Sequence, residues 1–388
     1  MRVLLDCRMA SWSGVGRYTT GLARALARRD DIELVQFVRR GDLPPITPED
    51  TDGLVADVIA GGGHPFTPWG GWSFATAVGE IGPDVVHAAH FPTPIPDKHP
   101  LVVTLHDLTP MVYPSVMRSP TSRAVYRWWN RRAAHVADVI TANSQATAAD
   151  VERLLPASVG KVRVVLHAPD DDLAAQPAEP LPEDVARWLG SAPYLLSMGN
   201  TKPNKDLPTL LAAFQIATGA ASTTGGRGGG PGPEGLDDLR LLLVGEDVPA
   251  YVPGWLTDPE VARRARFTGR VTDGQLRTLY ERARAFVFPS VYEGFGLPPL
   301  EAMTFGTPVV GADAASLPEV VGDAALRFAP GDPGALREAL LRLLGDPALA
   351  ADLAARGRER AASFSWARTA AETVVAYHDA IAAAAERT

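Results

Sequence analysis

Short aliphatic runs alternate with amphipathic stretches along this chain, and the alternation happens twice. In the first series VLL (3–5), ELVQFV, DVVH, LVVTL, DVITA and KVRVVL read as strands. RYTTGLARALARR and SQATAADVERLL, which lie between them, read as amphipathic helices. After about residue 190 the pattern restarts, with YLLSM, LRLLLV, AFVF and TPVVG as strands and DLPTLLAAF, TDGQLRTLYERA and PPLEAM as helices. Such alternation requires a parallel sheet covered by helices on both faces. Two series in 388 residues imply two doubly wound α/β domains. The polar, proline-rich APDDDLAAQPAEPLPED (168–184) is the expected linker. Its Asp170, Asp171 and Asp172 read as solvated. Residues 217–238, ATGAASTTGGRGGGPGPEGLDD, carry too much glycine to offset their ordering entropy and read as a flexible insertion. No solenoid-type repeat is present.

Composition narrows the function. Lys+Arg is 37 against 45 Asp+Glu, and the net charge of −8 argues against general nucleic-acid binding. One cysteine, Cys7, cannot form an internal disulfide, which fits a reducing cytoplasm. The opening MRVLLDCRMA does not read as a signal peptide, and no run has the length of a membrane span. Of the 37 basic residues only Lys98, Lys161, Lys202 and Lys205 are lysines, leaving 33 arginines. Two of the four lie three residues apart in the loop NTKPNK, which marks that loop as a candidate site.

In open parallel sheets ligands bind beyond the carboxyl ends of strands, so the loops after strands carry the chemistry. PSVYEGFGLPPLEA (289–302) follows AFVF and opens a helix, with Pro298 near its first position. A helix start offers free backbone amides to phosphate or hydroxyl oxygens. Gly294 and Gly296 let the backbone approach a ligand closely. Glu293 on the loop and Glu301 in the helix are placed to accept hydrogen bonds from two separated hydroxyls of one ligand. The plain alternative is that Glu301 complements the helix dipole and Glu293 is solvated.

The stretch PSVYEGFGLPPLEAMTFGTPVVGADAASLPEVVGDAAL resembles the signature segment of retaining glycosyltransferase family 4, mannosyltransferase-like members included. The resemblance extends over nearly the whole chain, to FSWARTA near its end. It implies the GT-B fold: two Rossmann-like domains facing a cleft, with a C-terminal helix crossing back to the N-terminal domain. The implied division is an acceptor-side domain over 1–175, a nucleotide-sugar domain over 185–365 and the crossing helix over 366–388. Glu293 with Gly294, Phe295, Gly296 and Leu297 would hold the donor sugar, and Glu301 the ribose. SMGNTKPNKDLPTLLAAF resembles the segment that grips the donor diphosphate, with Lys205 as the gripping charge. Asn200 and Asn204 stand where many members carry arginine, which leaves Lys202 as the second charge. The alternative for both lysines is a solvated pair.

In the first half, WSGVGRY (12–18) follows the first strand. It resembles the family loop in which Gly14 and Gly16 make room for diphosphate or acceptor, with Arg17 near the cleft or merely capping the helix. His106, in VVTLHDLTP beside Asp107, resembles the histidine that touches the donor sugar. His90 and Asp107 are acceptor-side candidates. The implied reaction moves a hexosyl unit from a GDP- or UDP-linked donor to a hydroxyl of a glycan, lipid-linked or small-molecule acceptor, with retention and with His106, Lys205 and Glu293 as its catalytic groups. Neither His90 nor His106 has a metal-ligand partner at diagnostic spacing, and no Asp-x-Asp pair stands in a setting that suggests a metal-bound diphosphate, so neither metal nor cofactor is expected. A sugar-nucleotide epimerase and a non-catalytic partner subunit on the same scaffold remain alternatives. Finally, RSPTSRAVYRWWNRR (118–132) puts Arg123, Arg127 and Arg131 four residues apart among aromatics. This is either a weak contact with the inner face of an anionic membrane or a solvated face with core tryptophans.

Overall fold

The computed structural model describes residues 1–47, 57–61, 64–91, 99–117, 119–198, 202–217, 238–245 and 259–387. It forms two compact units, Met1–Ala168 with Phe364–Thr388, and Pro169–Ser363. Among the described residues the first unit holds a seven-stranded sheet. Its strands are β1 (Arg2–Asp6), β2 (Glu33–Arg39), β3 (Asp57–Gly61), β4 (Val85–Ala88), β5 (Leu101–Leu105), β6 (Val139–Ala142) and β7 (Val162–Val164), in the order β3-β2-β1-β4-β5-β6-β7. The second unit holds β8 (Tyr194–Met198), β9 (Arg240–Val244), β10 (Ala265–Phe267), β11 (Ala285–Phe288), β12 (Val309–Ala312) and β13 (Ala325–Phe328), in the order β10-β9-β8-β11-β12-β13. Every pairing between named strands is parallel. Each order reverses direction once, at β1/β4 and at β8/β11, and such a reversal leaves a crevice at the carboxyl ends of the two strands.

Three strands are not apparent in the sequence pattern, β3, β10 and β13, and all lie at sheet edges. An edge strand is covered less, so it lacks the continuous apolar run of a central one. Val58 of β3 is exposed and Arg327 of β13 points to solvent, whereas β4, β5, β6, β11 and β12 are buried throughout. The expected linker is not free either. Glu179 accepts from Thr278 Oγ1 through its carbonyl (2.6 Å) and from Thr272 Oγ1 through its carboxylate (2.5 Å). These bonds dock the proline-rich segment on the helix Asp273–Arg282, within the second unit. The expected insertion 217–238 lies outside the described residues, apart from its two ends.

The C-terminal helix Trp366–Ala385 belongs to the first unit. Its Trp366 indole occupies the space beside Gly21, where an added Cβ would come within 2.3 Å of the ring. A buried polar chain ties the helix to the sheet. The Tyr377 hydroxyl lies 2.7 Å from His87 Nδ1. His87 Nε2 lies 2.8 Å from Thr104 Oγ1, which also meets Tyr18 Oη (2.9 Å) and Thr141 Oγ1 (2.7 Å). Each member is satisfied, which is what allows the chain to be buried.

Burial holds His87 neutral and pushes its pKa down to about 3, with His106 adding to the effect. Because the folded value lies below the unfolded one, this group contributes stability above the unfolded pKa and loses it as pH falls from about 6.5 towards 3. The stability of the first unit should therefore fall with acid by up to about 1.4 kcal/mol per pH unit from this site. Chemical denaturation between pH 7 and 4 checks this. His87→Gln should flatten the slope, and an unchanged slope would contradict the assignment.

Candidate functional site

In the second unit the two candidate loops follow β8 and β11, the neighbouring strands at which the order reverses. After β8 a short turn, Pro203–Lys205, leads through Asp206 (φ 46°) into the helix Leu207–Ala217. After β11 the loop reaches the helix Leu297–Thr304. The parallel pairing puts both loops at one sheet edge, and there Lys205 Nζ meets Glu293 Oε1 at 2.5 Å. The two side chains are only 15% and 17% exposed, so neither is the solvated group of the plain alternative. The ammonium also stands 5.3 Å from the centre of the Phe288 ring.

Asn204 holds the two loops together. Its carbonyl accepts the Val291 amide (2.9 Å), and its Nδ2 donates to the Tyr292 carbonyl (2.9 Å). The sequence presents Asn204 as the loss of an arginine, whereas the structure shows a buried clamp between the lysine turn and the glutamate loop. Asn204 Oδ1 and Ser290 Oγ are buried with no hydrogen-bond partner among the described residues. Ser316, which no sequence motif marks, reaches the carbonyls of Glu293 (3.0 Å) and Phe295 (2.6 Å) and sets the loop from the other side. Gly296 has φ 119°, and a Cβ there would lie 2.9 Å from Leu317, so glycine suits the site on both counts.

The helix start is narrower than the sequence suggests. Pro298 and Pro299 have no N–H, so the backbone amides between Glu293 and Leu300 are those of Gly294, Phe295, Gly296 and Leu297, and the N-cap residue Gly296 makes no side-chain cap. Glu301 is buried, and its Oε2 accepts the Tyr280 hydroxyl at 3.1 Å. Lys202 is exposed at the turn, and Asn200 lies outside the described residues.

In the first unit the expected residues also follow strands at the carboxyl edge. Gly14 is exposed in the first turn of the helix Ser13–Ala27, with open space where its Cβ would stand. Gly16 is buried against Ala10, whose carbonyl oxygen lies 2.1 Å from a would-be Cβ. Arg17 is half-buried beside it. His106 Nε2 donates to the Ala89 carbonyl (2.8 Å), which leaves Nδ1 as an acceptor in the neutral ring, and burial lowers its pKa. His106 lies 5.6 Å from His90, 5.4 Å from His167 and 4.8 Å from Tyr18, ring centre to ring centre. Burial also pushes down the pKa of His90 and of His167. His167, in HAPDDD, is a member of this cluster that the motifs do not single out; its place after a strand is the one signal for it. Asp107 acts locally. Its Oδ1 accepts the Thr109 amide (2.7 Å), and its carbonyl accepts the Tyr126 hydroxyl (3.1 Å).

The chain matches known sequences over both units. Residues 12–173 match the family model described as Glycosyltransferase Family 4, and residues 185–360 the model described as Glycosyl transferases group 1. It is 30% identical to alpha-maltose-1-phosphate synthase of Mycolicibacterium smegmatis over 72% of this chain and 72% of that protein. The chain belongs to glycosyltransferase family 4. Within the family it is 36% identical over 222 residues to O-antigen chain mannosyltransferase B of Escherichia coli. That match covers 56% of this chain and 54% of the relative, so the chain spans about half the length of that protein. Among solved structures, sucrose-phosphate synthase from Thermosynechococcus elongatus superposes with a TM-score of 0.74 at 22% identity, over 99% of this chain and 100% of that one. This likeness shows the GT-B fold.

In this family 4 chain, removing either partner of the Lys205–Glu293 pair strands a mostly buried charge. A double-mutant cycle of Lys205→Met and Glu293→Gln should show a coupling of about 1–3 kcal/mol, with the double variant more stable than the sum of the singles implies. Strictly additive losses in denaturant melts would contradict the pairing.

Proposed function

We propose that the protein transfers a hexosyl unit from a nucleotide sugar to an acceptor hydroxyl, with retention of anomeric configuration. The observation that carries this reading is the Lys205–Glu293 pair at the β8/β11 reversal, within a family 4 chain. Lys205 receives the donor diphosphate, Glu293 and the amides of Gly294, Phe295, Gly296 and Leu297 receive the sugar hydroxyls, and Glu301, oriented by Tyr280, receives the ribose. Since Lys205 and Glu293 hold each other, donor binding has to exchange a carboxylate for a phosphate at the ammonium. Its reward is catalytic, because a lysine in a site with little water stabilises the charge that grows on the leaving diphosphate. The acceptor oxygen bonds to the anomeric carbon, the bond from that carbon to the diphosphate breaks, and the acceptor proton passes to a diphosphate oxygen. His106, neutral, accepts a hydrogen bond from a sugar hydroxyl through Nδ1. Gly14, Gly16, Arg17 and His90 serve the acceptor or diphosphate side, with Lys202 and Asn200 as further diphosphate contacts. The mannosyltransferase relative favours mannose as the transferred sugar. The acceptor class is a glycan, a lipid-linked sugar or a small molecule, and no metal cofactor takes part.

Incubation with UDP-, GDP- and TDP-sugars, with and without glycan acceptors and in the presence of a chelator, tests the reading. Acceptor-dependent nucleotide release is expected. Conversion of the donor without acceptor would point instead to an epimerase, and binding without turnover to a partner subunit. Lys205→Ala should lower kcat by about a hundredfold. Near-normal turnover at saturating donor would remove the lysine from the mechanism.

A membrane-held acceptor is the second element of the proposal. No helix among the described residues is long and apolar enough to cross a membrane. The helix Pro120–Val136 exposes Arg127, Arg131 and Trp128, while Trp129 packs against the core and Arg123 turns back to the carbonyls of Pro114 and Met117 (both 3.3 Å). The patch is therefore smaller than the sequence suggests, since one arginine and one tryptophan are used internally. Each exposed arginine should add about 1 kcal/mol on an anionic surface. Sedimentation with anionic vesicles at low salt should depend on Arg127 and Arg131. No sedimentation, or sedimentation that survives Arg127→Ala with Arg131→Ala, contradicts the contact.

A further inference from the structure

Three exposed tryptophans follow the ends of β1 and β3. Trp12 (42% exposed) precedes the helix Ser13–Ala27, and Trp69 (61%) and Trp72 (60%) occupy the start of the helix Pro68–Ile81. Each follows a strand at the carboxyl edge of the first sheet, the edge that also carries Gly14, Gly16 and Arg17. From this placement we propose that Trp12, Trp69 and Trp72 form a subsite for the neutral sugar rings of an extended glycan acceptor. The inference rests on the transferase reading above and names its acceptor class.

The rings are not misplaced core. Phe74, Ala77, Val78 and Ile81 supply the buried face of the helix Pro68–Ile81. Trp69 and Trp72 stack on one another instead, with centres 5.0 Å apart and planes at 29°, and remain open to water. Trp12 lies near-parallel to Phe66 (6.1 Å, 29°), which in turn packs on Phe91 and Trp129. Aromatic surface left in water in this amount is unfavourable unless something covers it.

The platform is also held stiffly. Arg8, directly after β1, has no exposed side-chain surface. Its Nε and Nη2 bond the Asp6 carboxylate (2.8 and 2.6 Å), and its guanidinium lies over the rings of Phe37 and Phe74. Its Nη1 donates to the carbonyl of Gly70 (2.7 Å), the residue next to Trp69. Thr67 caps the same turn, accepting the Gly70 amide at 3.1 Å. A buried ion pair that spends its outward hydrogen bond on this turn fixes the two indoles relative to the end of β1, and preorganisation of that kind favours binding.

Charge selects the occupant. Between Asp57 and Glu80 the chain has no Asp, Glu, Lys or Arg. An anionic lipid surface or a phosphorylated acceptor would draw on cations in the indoles' own segment, which has none; at this edge the exposed Arg40 follows β2 and the half-buried Arg17 lies in the helix Ser13–Ala27, while Arg127 and Arg131 are on a different helix. A pyranose ring needs none: its C–H face stacks on an indole while its hydroxyls stay in water or bond neutral neighbours such as Ser11.

Tryptophan fluorescence titrated with α-mannopentaose and with maltopentaose tests the subsite without donor. At least one should shift wild-type emission to saturation, and Trp69→Ala with Trp72→Ala should abolish the shift while circular dichroism shows the fold retained. In transfer assays the double variant should raise KM for that oligosaccharide by about tenfold, with the larger effect on KM rather than kcat, and Trp12→Ala should act in the same direction. No emission shift with either sugar, an unchanged KM, or pelleting on uncharged phosphatidylcholine vesicles through Trp69 and Trp72 would overturn the proposal. Wild-type protein that binds the oligosaccharide but turns over no nucleotide sugar would refute the transferase reading and leave the subsite standing.

Discussion

A lysine ammonium 2.5 Å from a glutamate carboxylate, with both side chains largely withdrawn from water, must be held there by the loops that carry it. Two charges in a half-dry site are a poor source of stability, because desolvation offsets much of their attraction. What they give is a definite arrangement of chemistry. The parallel pairing of β8 with β11 brings the loops to one edge, Asn204 links them through two hydrogen bonds, and Ser316 fixes the Glu293 loop from behind. The glycine at 296 then turns the chain into a helix whose prolines reduce the amides on offer to a short run. Take away the pair's geometry and the remaining features of this edge have nothing to organise.

The first unit follows the same plan with different groups. Its sheet reverses at β1/β4, and the side chains after β1, β4 and β5 are aromatic, histidine and glycine. The histidines are buried and held neutral, so they are suited to accepting or relaying hydrogen bonds rather than to carrying charge.

Much of this was legible in the sequence, for identifiable reasons. Central strands announce themselves because they are buried on both faces and so read as unbroken apolar runs; β11 and β12 are examples. The edge strands β3, β10 and β13 did not, since half-solvated residues break the run. Lys205 stood out by the rarity of lysine in this chain, and Glu293 and Glu301 by their spacing around glycines. Asn204, Ser316 and Tyr280 were not legible, because each acts across long separations, 88 residues from Asn204 to Tyr292 and 21 from Tyr280 to Glu301. Nothing local marks such a partner. Arg123 and Trp129 show the converse error: helical spacing identified a basic, aromatic helix, but not which of its side chains the core and neighbouring carbonyls would claim.

The central claim is that the Lys205–Glu293 pair is the resting form of a donor site. A crystal structure of the protein with a bound nucleotide sugar tests it most directly. The account predicts the diphosphate within hydrogen-bond reach of Lys205 Nζ, Glu293 turned to a sugar hydroxyl, and the Asn204 bonds to Val291 and Tyr292 intact. A nucleotide sugar bound elsewhere, with the 2.5 Å pair unchanged, would contradict it.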